Sequence, residues 1–126
     1  MKLSAESMFT VGSTGPTEQH DGYITLPLHV ELDWENGRAQ GLDPENEGLD
    51  ASYSILISYV TADGRSFDTM DNYEVDNEWY SIGVVYPPTR VIDARVPISV
   101  PADQVPGGVW KLTNSSSGAA VFIAGG

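Results

Sequence analysis

Four carboxylates fall within eight positions in "DPENEGLD", residues 43–50: Asp43, Glu45, Glu47 and Asp50. A calcium ion takes about six to eight oxygens from a folded loop, so these four are candidate metal ligands. An EF-hand loop starting at Asp43 would carry its glycine at Gly48, as this one does. Its bidentate glutamate would fall at residue 54, which is Ser54, and no flanking helices are expected. That leaves a looser calcium loop, or a solvated turn. Asp, Asn, Gly and Pro all favour turns without any ion, and the turn is the simpler reading.

A second cluster is "DTMDNYEVDNEWY", residues 68–80. Asp71, Glu74, Asp76 and Glu78 surround Tyr73 and Trp79, with Asp68 and Tyr80 at the two ends. Rings flanked by acids suit a basic protein partner, because Tyr and Trp are common interface anchors. They also suit a sugar, whose apolar face stacks on a ring. The simpler alternative is that Trp79 is a core residue on an alternating strand. Asp71, Tyr73, Glu74, Asp76, Glu78 and Trp79 are the candidate partner-binding residues.

Other groups offer less. His29, Glu31 and Asp33 lie two apart on one side of a strand, which puts the end residues about 13 Å apart, too far for one ion. His20 is a lone loop histidine beside Asp21. There is no cysteine, so thiolate metal sites, Cys nucleophiles and disulfides are excluded. "VGSTG" at 11–15 lacks both the nucleophile-elbow spacing and the phosphate-binding glycine patterns. The chain therefore reads as a non-enzyme with no cofactor, calcium being the one ion its loops would suit. Asn114-Ser115-Ser116 matches a glycosylation sequon and reads as a hairpin turn.

These residues need elements to hold them. The 126 residues make one domain's worth of chain, read as a single unit 1–126 with a partly irregular segment over 1–21. Period-two alternation dominates. In "YITLPLHVELDW", residues 23–34, Ile24, Leu26, Leu28, Val30, Leu32 and Trp34 take one face; Pro27 predicts an edge or a bulge. Asn36-Gly37 reads as a turn. Residues 52–67 read as a strand, a turn at Ala62-Asp63-Gly64 and a return strand. Tyr53, Ile55, Ile57 and Tyr59 share one face there, and Leu56 and Val60 predict cover on the other. Residues 78–86 read as a strand, residues 90–100 put Ile92, Ala94, Val96, Ile98 and Val100 inward, and residues 109–124 read as a closing hairpin around Asn114 to Gly118. An opening strand falls near Phe9 to Val11, and 12–22 and 35–50 read as long loops. No segment has the caps and periodicity of a helix. The expectation is an all-β, two-sheet antiparallel β-sandwich of roughly six to eight strands.

The turn "YVTADGRSF", the strand leading through "VPAD" (Val100, Pro101, Ala102, Asp103) and the closing "AAVFIA" resemble the telokin-like, immunoglobulin-fold domains of secreted proteins and lipoproteins of Gram-positive bacteria. The resemblance spans residues 22–124. It implies an extracytoplasmic, immunoglobulin-like sandwich, secreted or anchored at the cell surface, with no assigned catalytic residues.

Charge narrows the partners. Eighteen acids against six bases give a net charge of −12 and a pI near 4.1. Residues 31–78 hold 13 of the acids against Arg38 and Arg65 alone. Nucleic acid is a poor partner for such a surface, as is an anionic membrane. No apolar run approaches the roughly 20 residues of a membrane helix. The expected function is a non-catalytic extracytoplasmic domain that contacts a protein or the cell envelope, with a basic surface as the complementary partner. The alternative is a small calcium- or carbohydrate-binding module.

Overall fold

A computed structural model describes residue 1, residues 8–68 and residues 77–125. Asp71, Tyr73, Glu74 and Asp76 therefore lie outside the described residues. The described chain is mostly β, arranged in antiparallel sheets. Its elements run β1 (Phe9–Ser13), β2 (Glu18–His20), β3 (Tyr23–Leu32), α1 (Trp34–Ala39), β4 (Leu49–Asp50), α2 (Ala51–Ser54), β5 (Ile55–Val60), β6 (Ser66–Asp68), α3 (Glu78–Ser81), β7 (Val84–Val85), β8 (Val91–Ile98), β9 (Val109–Asn114) and β10 (Ala120–Ala124). A 3₁₀ turn spans Ala102–Gln104.

The first sheet is centred on β3. Residues Ile24 to Glu31 of β3 pair with β8 on one side, while β1 and β2 share its other side. The inward residues read at 24–32 and 92–100 are buried, but the alternation fails at Thr25 and Pro97, which pair with each other and are buried too. Leu26 lies opposite Val96, Leu28 opposite Ala94 and Val30 opposite Ile92, all buried. Pro27 does not mark an edge. It falls between Thr25, the last residue paired with β2, and Leu28, the first paired with β1, where no ladder hydrogen bond is required of it.

The second sheet has the order β10-β9-β5-β6. The turn at Asp63-Gly64 joins β5 to β6, with Gly64 at φ +90°, and the closing hairpin forms as β9–β10. Its inward faces supply Ile55, Ile57, Tyr59, Trp110 and Leu112 to the same core that receives β1, β3 and β8. Each such side chain contributes about 1.5–3 kcal/mol on burial. A short β4–β7 ribbon lies apart from both sheets.

Several local expectations need correction. The stretches read as long loops contain β2, α1 and β4. The described residues form ten strands rather than six to eight, the added ones being only two or three residues long. Three short helices appear where none was expected. α1 begins because Asp33 caps it, its carboxylate accepting the Asn36 N–H at 3.2 Å, worth about 1 kcal/mol. Asn36-Gly37 thus sits inside a helical turn, and Trp34 leaves the β3 alternation to reach the Thr89 carbonyl through Nε1 at 2.6 Å. Residues 78–81 are helical rather than extended, with Asn77 as the cap. Residues 51–54 coil before β5 starts, so Tyr53 is 77 % exposed instead of sharing the face of Ile55. β5 is an inner strand, yet Leu56 is 52 % exposed, so one face of it is open to solvent. Helices of four to six residues are too short to carry a readable helical period.

Candidate functional site

The acidic loop 43–50 is held by local partners. Glu45 accepts from Arg38 Nε at 3.0 Å and also pairs with Nη2. That bond holds the Glu45 carboxyl below its ordinary range and the Arg38 guanidinium above its own. Asp43 accepts from Asn46 Nδ2 at 2.9 Å, and Asp50 from the Ser52 hydroxyl at 2.8 Å. Glu47 is exposed. Among the described residues, no three His, Asp or Glu side chains converge on a point that could hold a metal ion. The loop is instead pinned by Gly48, whose φ of +64° brings its backbone against Val84 and Tyr86.

Glu47, Leu49, Phe9, Leu42, Ser115 and Ser116 are among the residues lining a cleft of about 360 Å³. The sequon asparagine, also in its lining, is a structural turn residue. Asn114 is 7 % exposed, and its Oδ1 accepts from the Ser116 N–H at 3.0 Å and the Ser116 hydroxyl at 2.8 Å.

Of the candidate partner-binding residues in the second cluster, Glu78 and Trp79 are described. Trp79 is 1 % exposed and belongs to the core, so its ring is not presented to a partner. Glu78 Oε2 accepts the backbone N–H of Arg95 at 2.7 Å. Arg90 donates no such outward group: its carbonyl accepts from Leu32 N–H at 2.8 Å on the β3 side. Backbone groups alternate sides along a strand, so Val91, Asp93, Arg95 and Pro97 face the outer edge of β8. Glu78 occupies one of those positions and Pro97 has no N–H to offer, so this edge is partly closed to strand pairing.

The two sheets present different outer faces. On the first, His29 Nδ1 lies 2.6 Å from Asp93 Oδ1, Glu31 lies 3.9 Å from the other ring nitrogen, and Arg95 Nε donates to Glu18 at 3.2 Å. That face is laced with charge. His20 in β2 stacks on Tyr23, with ring centroids 4.5 Å apart.

The outer face of the second sheet is built differently. Strand register aligns Leu56 with Thr113 and Ala120, then Ser58 with Lys111 and Phe122, then Val60 with Val109 and Ala124. Leu56 is 52 % exposed and Phe122 53 %. They lie in adjacent rows two strands apart, about 10 Å across the sheet. A second cleft of about 360 Å³, lined by Leu56, Asp68, Trp79 and Tyr80, borders the β5 side of this face. Tyr80 is also exposed there. On the other side lies β10, an edge strand of five apolar residues. Leu56, expected to be covered, is open, and Phe122 lies in the closing hairpin read at 109–124. The signal was present: Phe122 takes the outward position, opposite Lys111, in a hairpin whose inward positions are Val121 and Ile123.

The core beneath is tied together by specific polar and ring contacts. Tyr59 donates its hydroxyl to the Val105 carbonyl at 2.5 Å and meets Trp110 edge to face at 5.2 Å. Burial pushes its phenol above the ordinary range. Trp110 Nε1 donates to Thr17 Oγ1 at 2.9 Å. Among the described residues, no helix is long and apolar enough to cross a membrane. Comparison with protein-family models, with curated proteins and with solved structures finds no significant match to this chain.

Proposed function

We propose that this chain is a non-catalytic, immunoglobulin-like, two-sheet sandwich of the cell exterior that docks a protein or the cell envelope. The observation that carries this reading is the exposure of both Leu56 and Phe122 on the outer face of the second sheet, beside the β10 edge with which no described strand pairs. Exposed aliphatic and aromatic side chains on one sheet face, interspersed with Ser58, Lys111 and Thr113, suit an interaction surface. The location rests on the resemblance of the strand-and-turn pattern to domains of secreted proteins and lipoproteins. The test is capture from cell-envelope extract by the immobilised chain. Leu56→Glu should weaken capture by about tenfold or more, the loss expected of an interface anchor. Equal capture by Leu56→Glu and the unaltered chain would count against this face.

A second reading, a small ligand-binding module, is favoured by the cleft beside the acidic loop. Gln40, Glu47, Ser115 and Ser116 offer amide, carboxylate and hydroxyl groups beside Phe9 and Leu42, a mixture that suits a carbohydrate. A glycan that binds there raises the thermal midpoint, and Ser115→Trp abolishes the rise.

A further inference from the structure

The edge of β10 has its own symmetry. Asn114 N–H donates to the Ala119 carbonyl at 2.8 Å, and Gly125 N–H to the Gly108 carbonyl at 3.0 Å. Residues 119, 121, 123 and 125 therefore turn their backbone groups toward β9, and those of Ala120, Phe122 and Ala124 turn outward. Among the described residues no strand pairs with that side. The outward groups are centred on Phe122, and the sequence "AVFIA" is nearly the same read in either direction about that residue.

We propose that a second copy of this chain pairs with β10 in antiparallel register, joining the two second sheets into one continuous sheet. The proposal rests on the reading of this face and edge as a docking surface, and it names what occupies the edge. A two-fold axis through Phe122 places Phe122 of one copy opposite Phe122 of the other. Ala120 then lies opposite Ala124, and Val121 opposite Ile123. Each outward residue meets an outward residue, so all three exchange backbone hydrogen bonds, as an isologous contact requires. The two Phe122 rings fall side by side on the outer face, where aromatic cross-strand pairs stabilise a sheet.

Charge selects the same edge. The chain carries 18 acids, yet residues 104–126 contain none and include Lys111. A like chain of net charge −12 is repelled from most of this surface. At β10 the juxtaposed strands bring no carboxylate side chain together. The β8 edge, by contrast, is occupied by Glu78 at the Arg95 N–H and lacks a donor at Pro97. Natural sheets close an edge with such devices, and β10 has neither charge nor proline. Salt gives the pairing a signature. Screening relieves the repulsion between two acidic copies, so association strengthens with ionic strength, whereas a basic partner would bind more weakly.

The test is sedimentation equilibrium of the full chain across a wide range of concentration, at low and high salt. The unaltered chain should rise from 13.6 kDa toward twice that mass, more readily at high salt. Ala120→Pro removes only an outward N–H, and Phe122→Lys sets like charges across the two-fold axis. Both variants should remain at 13.6 kDa with unchanged circular dichroism. Leu56→Glu, away from the edge, should pair as the unaltered chain does. An unaltered chain that stays at monomer mass throughout overturns the proposal, as does a dimer that both edge variants leave intact. A monomer that still captures envelope protein through Leu56 overturns self-pairing alone. A dimer that captures nothing overturns the envelope reading alone.

Discussion

The Glu78 carboxylate accepts the backbone N–H of Arg95 at 2.7 Å, and so a side chain from α3 stands where a neighbouring strand would otherwise pair with β8. An acid first read as a partner contact is thus tied to the chain's own backbone. Glu78→Ala should leave the fold intact and free that amide. Amide exchange at Arg95 should speed up by about an order of magnitude, the scale of one lost charge-assisted hydrogen bond. Unchanged exchange at Arg95 would show that the contact does not persist in solution.

Tyr59 predicts an alkaline limit to stability. Its phenol is raised by burial, so the folded state holds the proton more tightly than the unfolded chain. The resulting stability is fully present below the unfolded value, near about pH 10, and is lost as pH rises through the raised folded value. Tyr59→Phe should remove that alkaline fall. At neutral pH it should cost about 1 kcal/mol, because one hydrogen bond is lost while the Val105 carbonyl keeps the Gly108 N–H. Denaturant titrations of both proteins across the alkaline range measure the two effects.

Gly48 and Gly41 form a matched pair. Both have positive φ, +64° and +94°. A Cβ at Gly48 would lie 2.5 Å from Val84 Cγ1, whereas one at Gly41 would meet nothing within 4 Å. Gly41→Ala should cost about 1 kcal/mol from backbone strain alone. Gly48→Ala adds a clash and should cost about 2–4 kcal/mol. Thermal unfolding separates them, and equal losses would mean that the acidic loop does not pack on β7.

The acidic loop itself should be indifferent to calcium. Glu45 is engaged by Arg38, Asp43 by Asn46 and Asp50 by Ser52. A thermal midpoint that is the same in millimolar calcium and in chelator is the expected result. A midpoint that rises with calcium would restore the ion site, since a ligand bound only to the folded state stabilises it.

The parts of this fold that were legible in sequence share one property, a face in water and a face in the core. Along residues 24–32 and 92–100 every residue named inward is buried, although Thr25 and Pro97, which pair across β3 and β8, are buried as well. The helices were not legible because four to six residues show no period, and because Asn36-Gly37 reads locally as a turn while the Asp33 cap makes it helical. Tyr53 was misplaced for the same reason, since α2 breaks the alternation just before β5. The candidate surface was harder still. Conspicuous acids attracted attention, yet they bind Arg38, Asn46, Ser52 and the Arg95 amide. Whether a strand is an edge depends on which strands flank it, and that is decided by chain topology rather than by the five residues of β10.

Residue-resolved hydrogen exchange along β10 is the most direct test of the docking edge. In dilute solution the amides of Val121 and Ile123 should be protected by β9, while those of Ala120, Phe122 and Ala124 exchange freely. At high concentration the three outward amides should become protected as well, in the unaltered chain and not in Phe122→Lys. Outward amides already protected in the dilute monomer, or still unprotected at high concentration, would contradict the account.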